Sequence, residues 1–228
     1  MYFDMTYLVL VMPAVLLAMF ASGKVNSTFK KYSKQYSRRG ITGAQAARTV
    51  LDRNGLRDVR IEHVSGNLTD HYDPRTNVIR LSDSVYGSTS TAAIGVACHE
   101  AGHAVQYAVN YAPIKLRAAI IPITNIGSQL AMPLILFGLF LNMVDLAYLG
   151  IACFGLSTVF QLLTLPTEFN ASRRALAAID SSYILDDDEM VGARKTLSAA
   201  AMTYVAALAV SLAQLLRLLI LVGGRRRD

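Results

Sequence analysis

Four stretches of this chain are long and apolar enough to decide its architecture before any other feature is weighed: residues 5–22, 118–141, 146–165 and 205–222. About 20 apolar residues in a helix cross the hydrocarbon core of a bilayer, and a helix satisfies its own backbone there. Only 17% of the 228 residues are charged, while 53% are hydrophobic. A water-soluble domain usually carries about a quarter charged residues. The expectation is a mostly α membrane protein with about four transmembrane helices. The rival for the first stretch is a signal peptide, with Ala18 to Ala21 as a possible cleavage site. Such a peptide begins with basic residues, whereas this one begins with Asp4 and no Lys or Arg. Pro13, Pro122 and Pro133 fall inside spans and are tolerated as kinks. The last stretch carries Ser211, Gln214 and Arg217. It reads as a fourth span, with packing on the soluble part or an interfacial position as alternatives.

The net charge of +6 could suggest a nucleic-acid partner, but the basic residues flank the apolar runs. Lys24, Lys30, Lys31, Lys34, Arg38 and Arg39, interleaved with Tyr32 and Tyr36, follow the first span directly. Cytoplasmic flanks are rich in Lys and Arg, and such segments contact anionic headgroups. This places residues 24–41 in the cytoplasm and the N-terminus outside. Lys115 and Arg117 precede the second span, and Arg173 and Arg174 follow the third. The intervening turn at Asn142–Asp145 has no positive charge, as expected outside. Arg225, Arg226 and Arg227 would lie outside if the last stretch spans, against the same rule.

Between the spans the pattern changes. Residues 42–54 read as a helix capped by Thr42, striped with Ala44, Ala46, Ala47 and Val50, and stopped by Gly55. Residues 57–64 alternate in the manner of a half-buried strand. Turns are expected at 65–70 and 73–77, then a short strand at 78–82. Ser88 to Thr91 offer N-caps for a helix that Pro113 closes. The division expected is a first span (1–23), a basic segment (24–41), a small α+β cytoplasmic domain (42–117), a membrane hairpin (118–165), a second part of that domain (166–196), and a C-terminal helix with its basic tail (197–228).

The helix before Pro113 contains His99-Glu100-Ala101-Gly102-His103, an H-E-x-x-H pattern. Residues four apart share a helix face, so both imidazoles can reach one metal ion. Glu100 is offset towards a water on that metal, the position of a general base. The bland alternative is a chance polar face; but the chain has four His in all, and two fall at ligand spacing. A catalytic zinc takes three protein ligands and keeps a fourth position open. No His follows His103. Of the later carboxylates, Asp145 lies on the outside turn and the run Asp186 to Glu189 resembles a helix start. Glu168, three residues past the third span, is the preferred third ligand for one Zn²⁺ per chain. Its alternative is an interface carboxylate paired with Arg173 or Arg174. Cys98 and Cys153 make no disulfide framework and read as small buried residues.

Zinc proteases commonly hold an extended substrate along a sheet edge. Asn77, Val78, Ile79, Arg80 and Leu81 are the candidate edge, with an ordinary internal strand as the alternative. His71 is a candidate oxyanion or substrate contact, and His63 a weaker one.

HEAGHAVQYA after NVIRLS, together with LPTEFNASRRA after a membrane hairpin, resembles the bacterial membrane-bound neutral zinc metallopeptidases often called YugP-like. The likeness covers essentially the whole chain. The layout is also similar to gluzincins such as the HtpX-like and CAAX-prenyl membrane proteases, where a membrane hairpin likewise separates H-E-x-x-H from the Glu ligand. The resemblance implies that His99, His103 and Glu168 bind zinc and that Glu100 is catalytic. In those relatives a carboxylate four residues after the Glu ligand supports a zinc His. Here that position is Ser172, and Asn170 is uncharged too. The expected function is a multi-pass zinc metalloendopeptidase of the cell membrane, working from the cytoplasmic side on membrane-associated peptide or protein substrates, with no nucleic acid. The alternatives are an intramembrane protease and an inactive zinc-binding scaffold.

Overall fold

A computed structural model describes residues 5–224; Asp4 and the basic tail from Arg225 to Arg227 lie outside the described residues. The element order is a π-helical stretch Tyr7–Val11, α1 (Met12–Tyr32), α2 (Gly43–Arg53), β1 (Arg60–Val64), β2 (His71–Asp73), β3 (Val78–Ser82), α3 (Thr91–Ala108), α4 (Ala112–Phe140), α5 (Val144–Ser181) and α6 (Met190–Gly224). Four helical segments are long and apolar enough to cross a membrane: Tyr7–Tyr32, Ala112–Phe140, Val144–Ser181 and Asp187–Gly224. The chain divides into two compact units. One takes the segment ending at Ala21, Lys115–Pro166 and the segment from Met202 onward; the other takes Ser22–Ile114 and Thr167–Ala201.

The first unit is helical and apolar outside as well as inside. Phe137, Phe140, Ile126 and Leu162 are exposed, as suits surfaces that meet lipid tails rather than water. With no hydrophobic force between helices in lipid, small residues and interhelical hydrogen bonds hold them together. A Cβ at Gly150 would meet the carbonyl of Ala131 at 2.7 Å, so α4 and α5 approach there to backbone contact. The Thr158 and Ser211 hydroxyls, both buried, hydrogen-bond at 2.7 Å between α5 and α6. Arg217 lies 5.3 Å from the Tyr7 ring centroid and Arg117 5.7 Å from that of Phe160. Each of these two guanidinium groups thus has an aromatic face to hold it.

The second unit is a small α+β domain. The strand order is β1-β3-β2, with β3 parallel to β1 and antiparallel to β2. α2 and α3 pack over the core formed by Val50, Leu51, Ile79, Leu81, Val85, Ile94, Ala97 and Ala101; Ile179 and Leu197 join it from the later helices and Ile184 from the connection between them. Thr42 caps α2 in a full capping box with Gln45, and Gly55 follows at φ +73°, the left-handed stop expected after a helix. Glu189, almost fully buried, accepts backbone N–H groups of Asp186 and Arg38, while Arg38 also grips Asp188. The segment after α1 is thereby tied to the start of α6.

Several elements differ from their sequence reading. α1 runs on to Tyr32 and takes up half of the basic segment, since Lys, Ser, Thr and Phe there present no breaker. β1 begins at Arg60, because Val59 closes a turn back onto Leu56. α5 runs unbroken from the third span through Pro166, a residue that reads as an end or a bend. The three-residue β2 falls between the two expected turns and takes in Asp73 from the second, being too short to show a period. The expected edge, residues 77–81, is corrected. β3 is the central strand, paired on both sides, and Val78, Ile79 and Leu81 are wholly buried. Asn77 takes a left-handed turn position at φ 55°, its amide bound to the Tyr72 hydroxyl and to Asp58, and Arg80 pairs with Asp73. The edge next to α3 is β2.

Candidate active site

Every group of the site lies in the second unit. α3 starts at Ser90, whose side chain accepts the Ala93 N–H, so that one of the four offered caps is used. The helix then carries His99, Glu100 and His103 into the core-facing side; its neighbours Cys98, Ala101 and Gly102 are buried. Gly102 is required there, because an added Cβ would sit 2.8 Å from the carbonyl of Ala171 on α5. That close crossing puts Glu168 opposite the two imidazoles.

Glu168 Oε2 lies 3.2 Å from His99 Nε2 and 3.6 Å from His103 Nε2. The three ligand atoms all lie within 4.8 Å of one another. Zinc bonds of about 2.0–2.2 Å in a tetrahedron separate ligand atoms by about 3.3 Å, and the two spacings from Glu168 lie close to that. The other ring nitrogens are engaged elsewhere: His99 Nδ1 with the Ser172 hydroxyl at 3.1 Å and His103 Nδ1 with Gln106 Oε1 at 3.0 Å. Both Nε2 atoms therefore face the carboxylate. Burial opposes charge on His103, yet the Glu168 carboxylate, with Glu100 nearby, holds its pKa above the usual imidazole value. A site built to favour positive charge at this point, with two imidazoles and one carboxylate as donors, fits Zn²⁺. Among the described residues this is the one group of His, Cys, Asp and Glu side chains placed for a metal ion.

Glu100 is nearly buried and stands apart from the ligand set. Its Oε2 accepts the main-chain N–H of Tyr72 at 3.0 Å. Tyr72 is the middle residue of β2, so the N–H that β3 does not use points at the Glu100 carboxylate. Cys98 is buried, its thiol pKa pushed up by that burial, and is no part of the metal group. His71 sits exposed at the start of β2 with Nδ1 against the carbonyl of Thr69, and His63 pairs with Asp83. Neither belongs to the metal group. Arg174 Nε donates to Asn170, and Arg173 is exposed.

Sequence reasoning missed Tyr72, Gln106 and the role of Ser172. Gln106 follows His103 by three residues, on the same helix face, and that spacing was the available signal.

Comparison with known proteins agrees with this geometry. Residues 7–223 match the model of a family described as "Putative neutral zinc metallopeptidase". The chain is 48% identical to "Putative membrane protease YugP" of Bacillus subtilis (strain 168), covering 97% of this chain and 99% of that protein. No solved structure matches. With the zinc-ligand set assembled on α3 and α5 and a family match over nearly the whole length, the chain belongs to the putative neutral zinc metallopeptidases.

Proposed function

We propose that this chain is a membrane metalloendopeptidase that hydrolyses peptide bonds at the cytoplasmic face, with Glu100 as general base. The observation that carries the reading is the contact of Glu100 Oε2 with the Tyr72 N–H. It sets a buried carboxylate between the zinc ligands and the outward main chain of an edge strand. His99, His103 and Glu168 hold the metal. When bound, zinc supplies a Lewis acid for the scissile carbonyl and lowers the pKa of a coordinated water. Glu100 takes a proton from the attacking water and returns it to the leaving amine. A substrate in extended form lies along the outer side of β2, beside the carboxylate that the Tyr72 N–H holds. His71, on the same strand, borders that path.

The cytoplasmic assignment is supported by charge. Lys24, Lys30, Lys31, Lys34, Lys115, Arg117, Arg173 and Arg174 lie next to apolar segments on the side that leads into the zinc-binding unit. The α4–α5 connection, at Asn142 and Met143, carries none.

Replacing Glu100 with Gln tests the role of the base. Zinc content should stay at the parent level while casein cleavage by the detergent-purified chain falls about 10²–10⁴-fold. Cleavage at the parent rate would contradict the assignment. Loss of zinc together with activity would make Glu100 a part of the metal site instead.

A further inference from the structure

The two zinc histidines are held differently, and the difference lies in what each Nδ1 faces. Gln106 is fully buried on α3, one turn after His103. Its Nε2 is 2.8 Å from the carbonyl oxygen of Thr167 and 3.0 Å from Asn170 Oδ1. A carbonyl oxygen only accepts, so the amide nitrogen must face Thr167 and Oε1 must face His103. Oε1 likewise only accepts. His103 must then carry its hydrogen on Nδ1 and leave the Nε2 lone pair for the metal. Asn170 is fixed in turn: Arg174 Nε, a pure donor, reaches its Oδ1 at 2.7 Å, so Oδ1 accepts from Arg174 and from Gln106. His99 has no such lock, for the Ser172 hydroxyl at 3.1 Å can donate or accept.

We infer that Gln106 is a positioning residue that sets the proton position of His103 for metal binding, and that Asn170 and Arg174 hold Gln106 in register. The inference rests on the zinc assignment above. It makes the outer support of the metal a neutral amide relay ending in an arginine, where a carboxylate would be the usual partner of a zinc histidine. The relay joins α3 to α5 at the point where Gly102 lets them touch, so metal geometry and helix crossing are set by the same few residues.

The test compares zinc affinity, by chelator competition, with the His103 Nδ1–H resonance in ¹⁵N-histidine-labelled, zinc-loaded full-length protein in detergent. Gln106→Met should bind zinc about 10–100-fold more weakly and should lose the hydrogen-bonded, exchange-protected Nδ1–H signal, with helical content unchanged. Gln106→Glu keeps an acceptor towards His103 but turns its second oxygen on the Thr167 carbonyl and Asn170 Oδ1, so the Nδ1–H signal should return with only part of the affinity. Asn170→Ala, at a half-buried position, repeats the test without altering the core and should shift the same signal with a smaller affinity loss. Ser172→Ala should leave the His103 signal in place. Parent-like affinity and an unmoved Nδ1–H signal in both Gln106→Met and Asn170→Ala would overturn the inference while leaving the metal site standing. A parent chain that takes up no zinc would remove the metal assignment and the relay together.

Discussion

At the scale of single residues, the site was legible where spacing alone forces geometry. His99 and His103 lie four apart on a helix, so their convergence follows from the helix period, and the structure brings them to one carboxylate. Glu168 was reached by elimination, because few acidic residues follow the hairpin. Gln106 and Ser172 were not assigned, since an amide or a hydroxyl near a ligand has no spacing that sets it apart from ordinary helix-surface polarity. Gly102 is another residue whose role only packing shows. H-E-x-x-H leaves the fourth position open, but here a side chain would collide with Ala171. Gly102→Ala should lower thermal stability in detergent by about 1–3 kcal/mol and weaken zinc binding. Gly155→Ala, where an added Cβ meets nothing within 4 Å, should do neither. Equal effects of the two changes would show that the α3–α5 crossing does not constrain the site.

At the scale of elements, the long helices and the capped α2 were legible because many residues repeat one period, whereas the sheet order was not. A strand of five residues reads the same in the middle of a sheet and at its edge until its partners are known. β2 has three residues and no period at all, yet it supplies the edge that faces Glu100. Its main chain gives a direct test. Proline is tolerated on an edge strand where the lost N–H points away from the ladder, which is the case at Tyr72. Tyr72→Pro should leave zinc content unchanged and reduce kcat/KM on a peptide substrate about tenfold or more, since a hydrogen bond to a charged group contributes roughly 1.5–3 kcal/mol. Tyr72→Phe keeps the N–H and loses only the hydroxyl bond to Asn77, so its loss should be smaller. The reverse order would place the importance of Tyr72 in its ring and hydroxyl.

At the scale of the whole molecule, composition and the apolar runs sufficed for the class of fold: four candidate spans and a small mixed sheet are both present. The continuity of α5 through Pro166 was not legible, because proline in water-soluble helices usually marks an end and only surrounding helices make it tolerable in a span. The chain thus carries its third ligand on the same helix that forms one arm of the membrane hairpin, two residues beyond that proline. Metal content of the purified full-length protein, set beside that of Glu168→Gln, addresses this arrangement most directly. One zinc per chain is expected in the parent by elemental analysis, with most of it lost from Glu168→Gln at unchanged helical content. Full zinc occupancy in Glu168→Gln, or none in a correctly folded parent, would contradict it.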